Sequence, residues 1–302
     1  MSHDHHHHHH HAPTNINTTF TIGIGLNVGF VLIEAFYGWQ IDSLALLADA
    51  GHNLSDVAGL LLAWLGLWAT RWHSNARHTY GWKRLSIMAS LVNASILLVA
   101  MSYLIYEAIS RFNTPVIMDG ETIMWVAGVG IFINGITAWL FLKQGGDDLN
   151  IRAAFLHMSA DALVSLGVVI SGGLALWAGL HWLDPVISLV IAGVVIAGTW
   201  SVFTQSLHLS FDGVPHALDS QAVKKALQSL DGVESVHDLH IWAISTQQNA
   251  LTAHLVYQND TDTQNLLDSA HEMLEHQFGI HHSTLQLESK DYSEHCDQKH
   301  CV

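Results

Sequence analysis

Six stretches of this chain are each long and apolar enough to cross a bilayer, which takes about 20 residues of helix. They run approximately over residues 20–40, 44–69, 85–109, 122–142, 151–180 and 185–205. Hydrocarbon offers the backbone no hydrogen-bond partners, so each stretch must fold as a helix that satisfies its own amides. Only 12% of the residues are Asp, Glu, Lys or Arg, against about 25% in an ordinary soluble domain. The link Ile41-Asp42-Ser43 is so short that the first two helices form an antiparallel hairpin. Basic residues set the orientation. Arg71, Arg77, Lys83 and Arg84 follow the second helix, and Lys143 and Arg152 lie between the fourth and fifth, whereas the opposite side has Arg111 alone. Six against one places both termini in the cytoplasm, and a bacterial inner (plasma) membrane is the expected setting.

After Phe211 the pattern becomes that of a soluble domain. Residues 219–230 place Ala222, Val223, Ala226, Leu227 and Leu230 on one helical stripe. Residues 233–244 and 250–257 read as strands, 262–278 as a helix and 283–288 as a third strand. The expected fold is therefore a six-helix membrane protein with a C-terminal cytoplasmic α/β domain of order α-β-β-α-β, ferredoxin-like or metallochaperone-like. The boundaries expected are 1–15 for a His-rich cytoplasmic tail, 16–210 for the membrane domain and 211–290 for a dimerisation and metal-sensing domain. Residues 291–302 form a Cys/His-containing tail.

Within the second and fifth spans the same motif, His-x-x-x-Asp, occurs twice: His52 to Asp56, and His157 to Asp161. Residues four apart share a helix face, so each helix offers an imidazole beside a carboxylate. Ionisable groups in a span are costly and mark ion or proton pathways. Two facing pairs make an N2O2 set whose two carboxylates balance one divalent cation, and imidazole with carboxylate suits zinc. Interhelical hydrogen bonding is the alternative use of such residues. Ala48, Ala50, Gly51, Ser55, Ala160 and Ala162 are small enough to let the two helices approach. With an imidazole pKa near about 6.5, His52 and His157 can exchange metal for protons near neutral pH.

Asp49, one turn before His52, is either a relay for metal or protons or a hydrogen-bond partner for a neighbouring helix. Asn27, Asn93 and Asn134 are expected to make packing hydrogen bonds. His3 and the run His5–His11 form a metal-concentrating tail, which an engineered purification tag would equally resemble. In the C-terminal domain His237 and His254 fall on adjacent strands, with His282 and Glu288 at the ends of the third. Ligands on neighbouring strands can converge on one metal, although single surface histidines are commoner. His73 and His78 in the basic loop, and Cys296 with Cys301 in the tail, are accessory candidates.

A net charge of −15, with no basic surface visible in the sequence to neutralise phosphates, argues against a nucleic-acid partner. Two cysteines, both in the tail, exclude a disulfide-stapled secreted domain and suit a reducing compartment. No cleavable signal peptide is expected. An intramembrane metalloenzyme would need an open metal position and a general base, as in His-Glu-x-x-His, and that string is absent. A metal receptor without transport and a passive channel remain as competing classes.

The strings Ser43-Leu-Ala-Leu-Leu-Ala-Asp-Ala-Gly-His-Asn-Leu-Ser-Asp56, Ala153 to Asp161, His78-Thr-Tyr-Gly-Trp82 and Val236-His-Asp-Leu-His-Ile-Trp242 resemble the cation diffusion facilitator family of zinc exporters. The likeness covers nearly the whole chain. It implies a homodimer joined through its cytoplasmic domains, with one transport site per protomer. It also implies alternating access that exports zinc against inward proton flow, with histidines at both motif starts resembling the zinc-selective branch. By the same resemblance His237, His254, His282 and Glu288 match positions that bind regulatory zinc. Trp82 and Lys83 stand where some relatives have histidine, which weakens the loop as a metal site.

Overall fold

The structure, a computed structural model, describes residues 18–69, 75–114, 116–144, 149–259 and 261–290. Within its helices the side chains of residues 18–24, 26, 56, 59–69, 140–144 and 149–157 lie outside the described set. Six long helices come first: α1 (Thr18–Gln40), α2 (Leu44–Ala69), α3 (Leu85–Arg111), α4 (Gly120–Gln144), α5 (Leu149–Ala178) and α6 (Leu183–Ser210). They are followed by α7 (Ser220–Gln228), β1 (Val233–Ala243), β2 (Asn249–Tyr257), α8 (Thr263–Phe278) and β3 (His282–Ser289). Among the described residues, Leu85–Arg111, Gly120–Trp139, Met158–Ala178 and Leu183–Ser210 are long and apolar enough to cross a membrane. The expected class, a helical membrane domain followed by an α-β-β-α-β domain, is the one observed.

The chain divides into two compact units. One comprises the described residues up to Val57 together with Val99–Ile196, and the other Ala58–Leu98 together with the chain from Ala197.

In the first unit the α1–α2 hairpin is built on Asp42, whose φ of 58° lies in the left-handed region. Ser43 is the N-cap of α2: its Oγ accepts from the Leu46 amide at 3.3 Å and donates to Asp184 Oδ1 at 2.6 Å. Asp184, at the start of α6, also accepts from the Leu44 amide (3.0 Å) and the Ala45 amide (3.4 Å). One buried carboxylate therefore completes the capping of the helix that carries the first His-x-x-x-Asp motif. Arg111 is buried too, its guanidinium donating to the Asp42 carbonyl at 2.5 Å, Asp42 Oδ1 at 2.7 Å and Glu107 Oε1 at 3.2 Å. The lone basic residue on that side is thus a structural pair that ties the hairpin turn to α3.

Helices α4 and α5 pack closely because glycines face each other. A Cβ built on Gly172 would lie 2.8 Å from Ile123 Cγ2 and 3.0 Å from the Gly120 carbonyl. Small residues let spans approach in this way. Gly172→Ala is expected to lower stability by about 1–3 kcal/mol through overpacking. Gly167→Ala, whose Cβ meets nothing within 4 Å, should be neutral or gain up to about 1 kcal/mol in helix propensity. Thermal melts in detergent distinguish the two, and equal melting temperatures would refute the close crossing.

In the second unit β2 is the central strand, antiparallel to β1 and parallel to β3. Alternation sends Val236, Leu251, Ala253, Leu255, Leu285 and Leu287 towards α7 and α8, where Val223, Leu227, Leu266, Ala270 and Leu274 complete the core. The helices are well delimited. Asp219 caps α7, Asp262 caps α8 by accepting from the Gln264 and Asn265 amides, and Gly279 ends α8 at φ 65°. The feet of the membrane helices join this unit: Arg84 pairs with Asp212, Ser86 Oγ accepts from the Thr246 amide at 3.2 Å, and Ile87, Leu209 and Ala243 bury one another.

Candidate metal sites

The first candidate site lies where α2 crosses α5. His52 Nε2 is 3.2 Å from Asp161 Oδ1, with Asp161 2% and His52 21% exposed. One turn away, Ser165 Oγ donates to Asp49 Oδ2 at 2.9 Å. The residue order, 49 with 165 and 52 with 161, makes the crossing antiparallel. Asp49 therefore serves as a hydrogen-bond partner between the two helices. Asp56 and His157 are helical positions of α2 and α5 whose side chains lie outside the described residues.

Behind this crossing sits a group that sequence reasoning did not single out. Asn53 Nδ2 is 3.3 Å from Glu34 Oε2 on α1 and 3.5 Å from Asp49 Oδ1. Glu34 and Asp49 are both completely buried. The signal for Glu34 was present, since an acid inside an apolar span is a functional candidate by default. Asn134 on α4, expected to make a packing hydrogen bond, is buried with neither amide atom partnered among the described residues.

The second candidate site is on the sheet face away from α7 and α8. His237 and His254 are directly opposed across β1 and β2, and Gln286 is the β3 partner of His254. Glu288, two residues further along β3, comes back to the same face. His237 Nε2 is 3.1 Å from Glu288 Oε2, His254 Nδ1 is 2.9 Å from Glu288 Oε1, and the two rings stand edge to face at 5.2 Å. The ligand atoms of these three residues all lie within 4.8 Å of one another, and they are the one such group among the described residues. His237 Nε2, His254 Nδ1 and Glu288 Oε2 are buried, yet none has a hydrogen bond of acceptable geometry. Buried donors and acceptors are normally paired. Three convergent atoms left without such a bond, two nitrogens and one carboxylate oxygen, fit the ligand chemistry of zinc.

His282 does not join this group. It pairs with Ala250 at the opposite end of β3, six residues or about 20 Å from Glu288, and is exposed with its ring 5.4 Å from that of Tyr80. His78 is exposed and stacks on Trp82 at 4.5 Å. His73, Cys296, Cys301 and the N-terminal histidines lie outside the described residues.

A helical membrane protein with a His–Asp contact between two spans and a His/His/Glu cluster on an appended sheet has the makings of a metal-handling transporter. Residues 20–209 match the cation efflux transmembrane domain and residues 215–290 the cation efflux protein cytoplasmic domain, so the chain belongs to the cation efflux family. This is a family of transporters and not of enzymes. Among its relatives is a cadmium, cobalt and zinc/H(+)-K(+) antiporter of Bacillus subtilis, 34% identical over 88% of this chain and 86% of that protein. The zinc transporter ZitB of Escherichia coli is 35% identical over 87% of this chain and 84% of its own length. The solved metal-bound C-terminal domain of the CzcD transporter from Cupriavidus metallidurans is 36% identical, covering 24% of this chain and 99% of that domain, with a TM-score of 0.23.

Proposed function

We propose that this protein is a zinc/proton antiporter that exports Zn2+ from the cytoplasm by alternating access. The supporting observation is the 3.2 Å contact between His52 and Asp161 across two antiparallel spans. One turn further along the same crossing are Asp56 on α2 and His157 on α5. The four residues make a His2Asp2 transport site in which the two aspartates balance the cation and the two imidazoles complete a tetrahedral shell. Four protein ligands leave no open position for hydrolytic chemistry, which suits carriage over catalysis. Carriage also needs reversibility, and imidazoles that lose zinc when protonated supply it.

His237, His254 and Glu288 are read as a regulatory zinc site on a cytoplasmic domain that joins two copies of the chain. Both termini are placed in the cytoplasm, bounded by the inner membrane of a bacterium. The burial of Arg111 in a structural ion pair adds to that orientation, because it leaves the opposite side without a free basic residue in the connections described.

The reading is tested in proteoliposomes loaded with a zinc indicator. Zinc flux is expected to follow an imposed pH gradient and to reverse when the gradient is reversed. Flux indifferent to the gradient would establish a channel, and binding without flux would establish a receptor.

A further inference from the structure

We propose that Asp238 is a positioning residue for the sheet-face metal site, its carboxylate holding the His254 ring with Nδ1 turned towards His237 and Glu288. The inference rests on the reading of His237, His254 and Glu288 as zinc ligands. A metal-binding imidazole presents one nitrogen lone pair to the ion, and its other N–H is usually held by a carboxylate or carbonyl that fixes tautomer and ring orientation. His254 stands between two carboxylates in this way. Its Nδ1 is 2.9 Å from Glu288 Oε1, and its Nε2 is 3.5 Å from Asp238 Oδ2. The second Asp238 oxygen is 3.1 Å from His240 Nε2, which steadies the carboxylate from the other side.

The backbone is bent to make this contact. Strict alternation would send Asp238 to the sheet face opposite His237. Instead the β1–β2 register slips between His237 and His240, where Asp238 and Leu239 stand against the single residue Ala253. Such a bulge re-aims side chains beside functional sites. Asp238 also sits at φ 49°, a left-handed conformation that is unfavourable for most L-residues and that Asp and Asn tolerate best after glycine. Glycine would be the unstrained choice there. A carboxylate at a glycine-favouring position, aimed at the far nitrogen of a candidate ligand, points to orientation of that ligand. It does not point to a second ion, because Asp238, His240 and His254 do not bring three ligand atoms together.

The test compares zinc affinity of the full chain in detergent by competition with a fluorescent chelator. His237→Ala defines the contribution of all other zinc-binding residues. Asp238→Gly removes the carboxylate and relieves the backbone, so its melting temperature without zinc should equal or exceed that of the wild type. Its affinity at the His237-dependent site should nevertheless fall about 10–100-fold. Asp238→Asn keeps an acceptor oxygen and tolerance of the left-handed backbone, and should restore most of that affinity. If Asp238→Gly binds zinc as tightly as the wild type, Asp238 is a turn residue only and the proposal is overturned. Asp238→Asn no better than glycine would likewise reject the hydrogen-bonding role. The underlying site reading fails separately, and visibly, if wild type and His237→Ala bind zinc identically.

Discussion

Replacing His52 by Asp is expected to raise the ratio of cadmium to zinc flux about tenfold while transport is retained. Zinc accepts a compact tetrahedral shell of nitrogen and oxygen at about 2.0–2.2 Å, and in the proposed transport site the imidazole reaching from α2 towards Asp161 would enforce that size. Aspartate is shorter, brings a third negative charge and offers two oxygen donors where the imidazole offers one nitrogen. The cavity grows, the geometric preference weakens, and a larger divalent ion is no longer penalised. His52 is partly exposed whereas Asp161 is buried, so the substitution places a second carboxylate beside Asp161 at the more accessible side of the contact. Parallel zinc and cadmium uptake in proteoliposomes reads the ratio directly. Loss of zinc flux with no gain for cadmium would show that His52 does not set selectivity.

The second large effect is expected far from any metal ligand. Asp184→Ala should destabilise the protein by about 3 kcal/mol and lower zinc flux more than about tenfold. The carboxylate accepts from the Ser43 hydroxyl and from two amides at the start of α2. A donor left buried without a partner costs about 1–3 kcal/mol, and loss of a cap alone costs about 0.5–2 kcal/mol. The consequence for transport is positional. Helix α2 begins at this cap and carries His52 two turns later, so a frayed start misplaces the imidazole against Asp161. Asp184→Asn keeps an acceptor for most of these donors and should lose only about 1 kcal/mol. A melting curve and a flux assay on both variants suffice, and wild-type flux in Asp184→Ala would show that this clamp does not position His52 for transport.

The different visibility of these features has a physical cause. Apolar runs must be helices in a bilayer, so α1 to α6 were legible in the sequence to within about five residues at each end. Asp219, Asp262 and Gly279 advertise the ends of α7 and α8 through local capping chemistry. The His-x-x-x-Asp spacing likewise says that two side chains share a face. Composition says nothing about contacts between residues distant in sequence. Asp184 looks like an ordinary loop-edge acid until its partner, 141 residues earlier, is seen. Glu34 obeyed a rule that sequence alone could have applied, yet its meaning depends on Asn53 bringing it beside Asp49.

Register explains the remaining differences. Placing His282 and Glu288 on one strand is straightforward from β-branched and alternating residues. Which of them meets His254 is decided by pairing: Ala250 faces His282, and His254 faces Gln286, two residues from Glu288. Asp238 was hidden for a further reason. A bulge breaks the alternation from which its face would be read.

We propose that zinc crosses through the four residues His52, Asp56, His157 and Asp161 in exchange for protons. The most direct test is zinc flux under an imposed pH gradient for the wild type, for the double variant Asp56→Ala with Asp161→Ala, and for His237→Ala. Gradient-driven flux is expected in the wild type, none in the double variant, and retained flux with altered zinc dependence in His237→Ala. Gradient-driven flux that survives in a folded double variant would contradict this route.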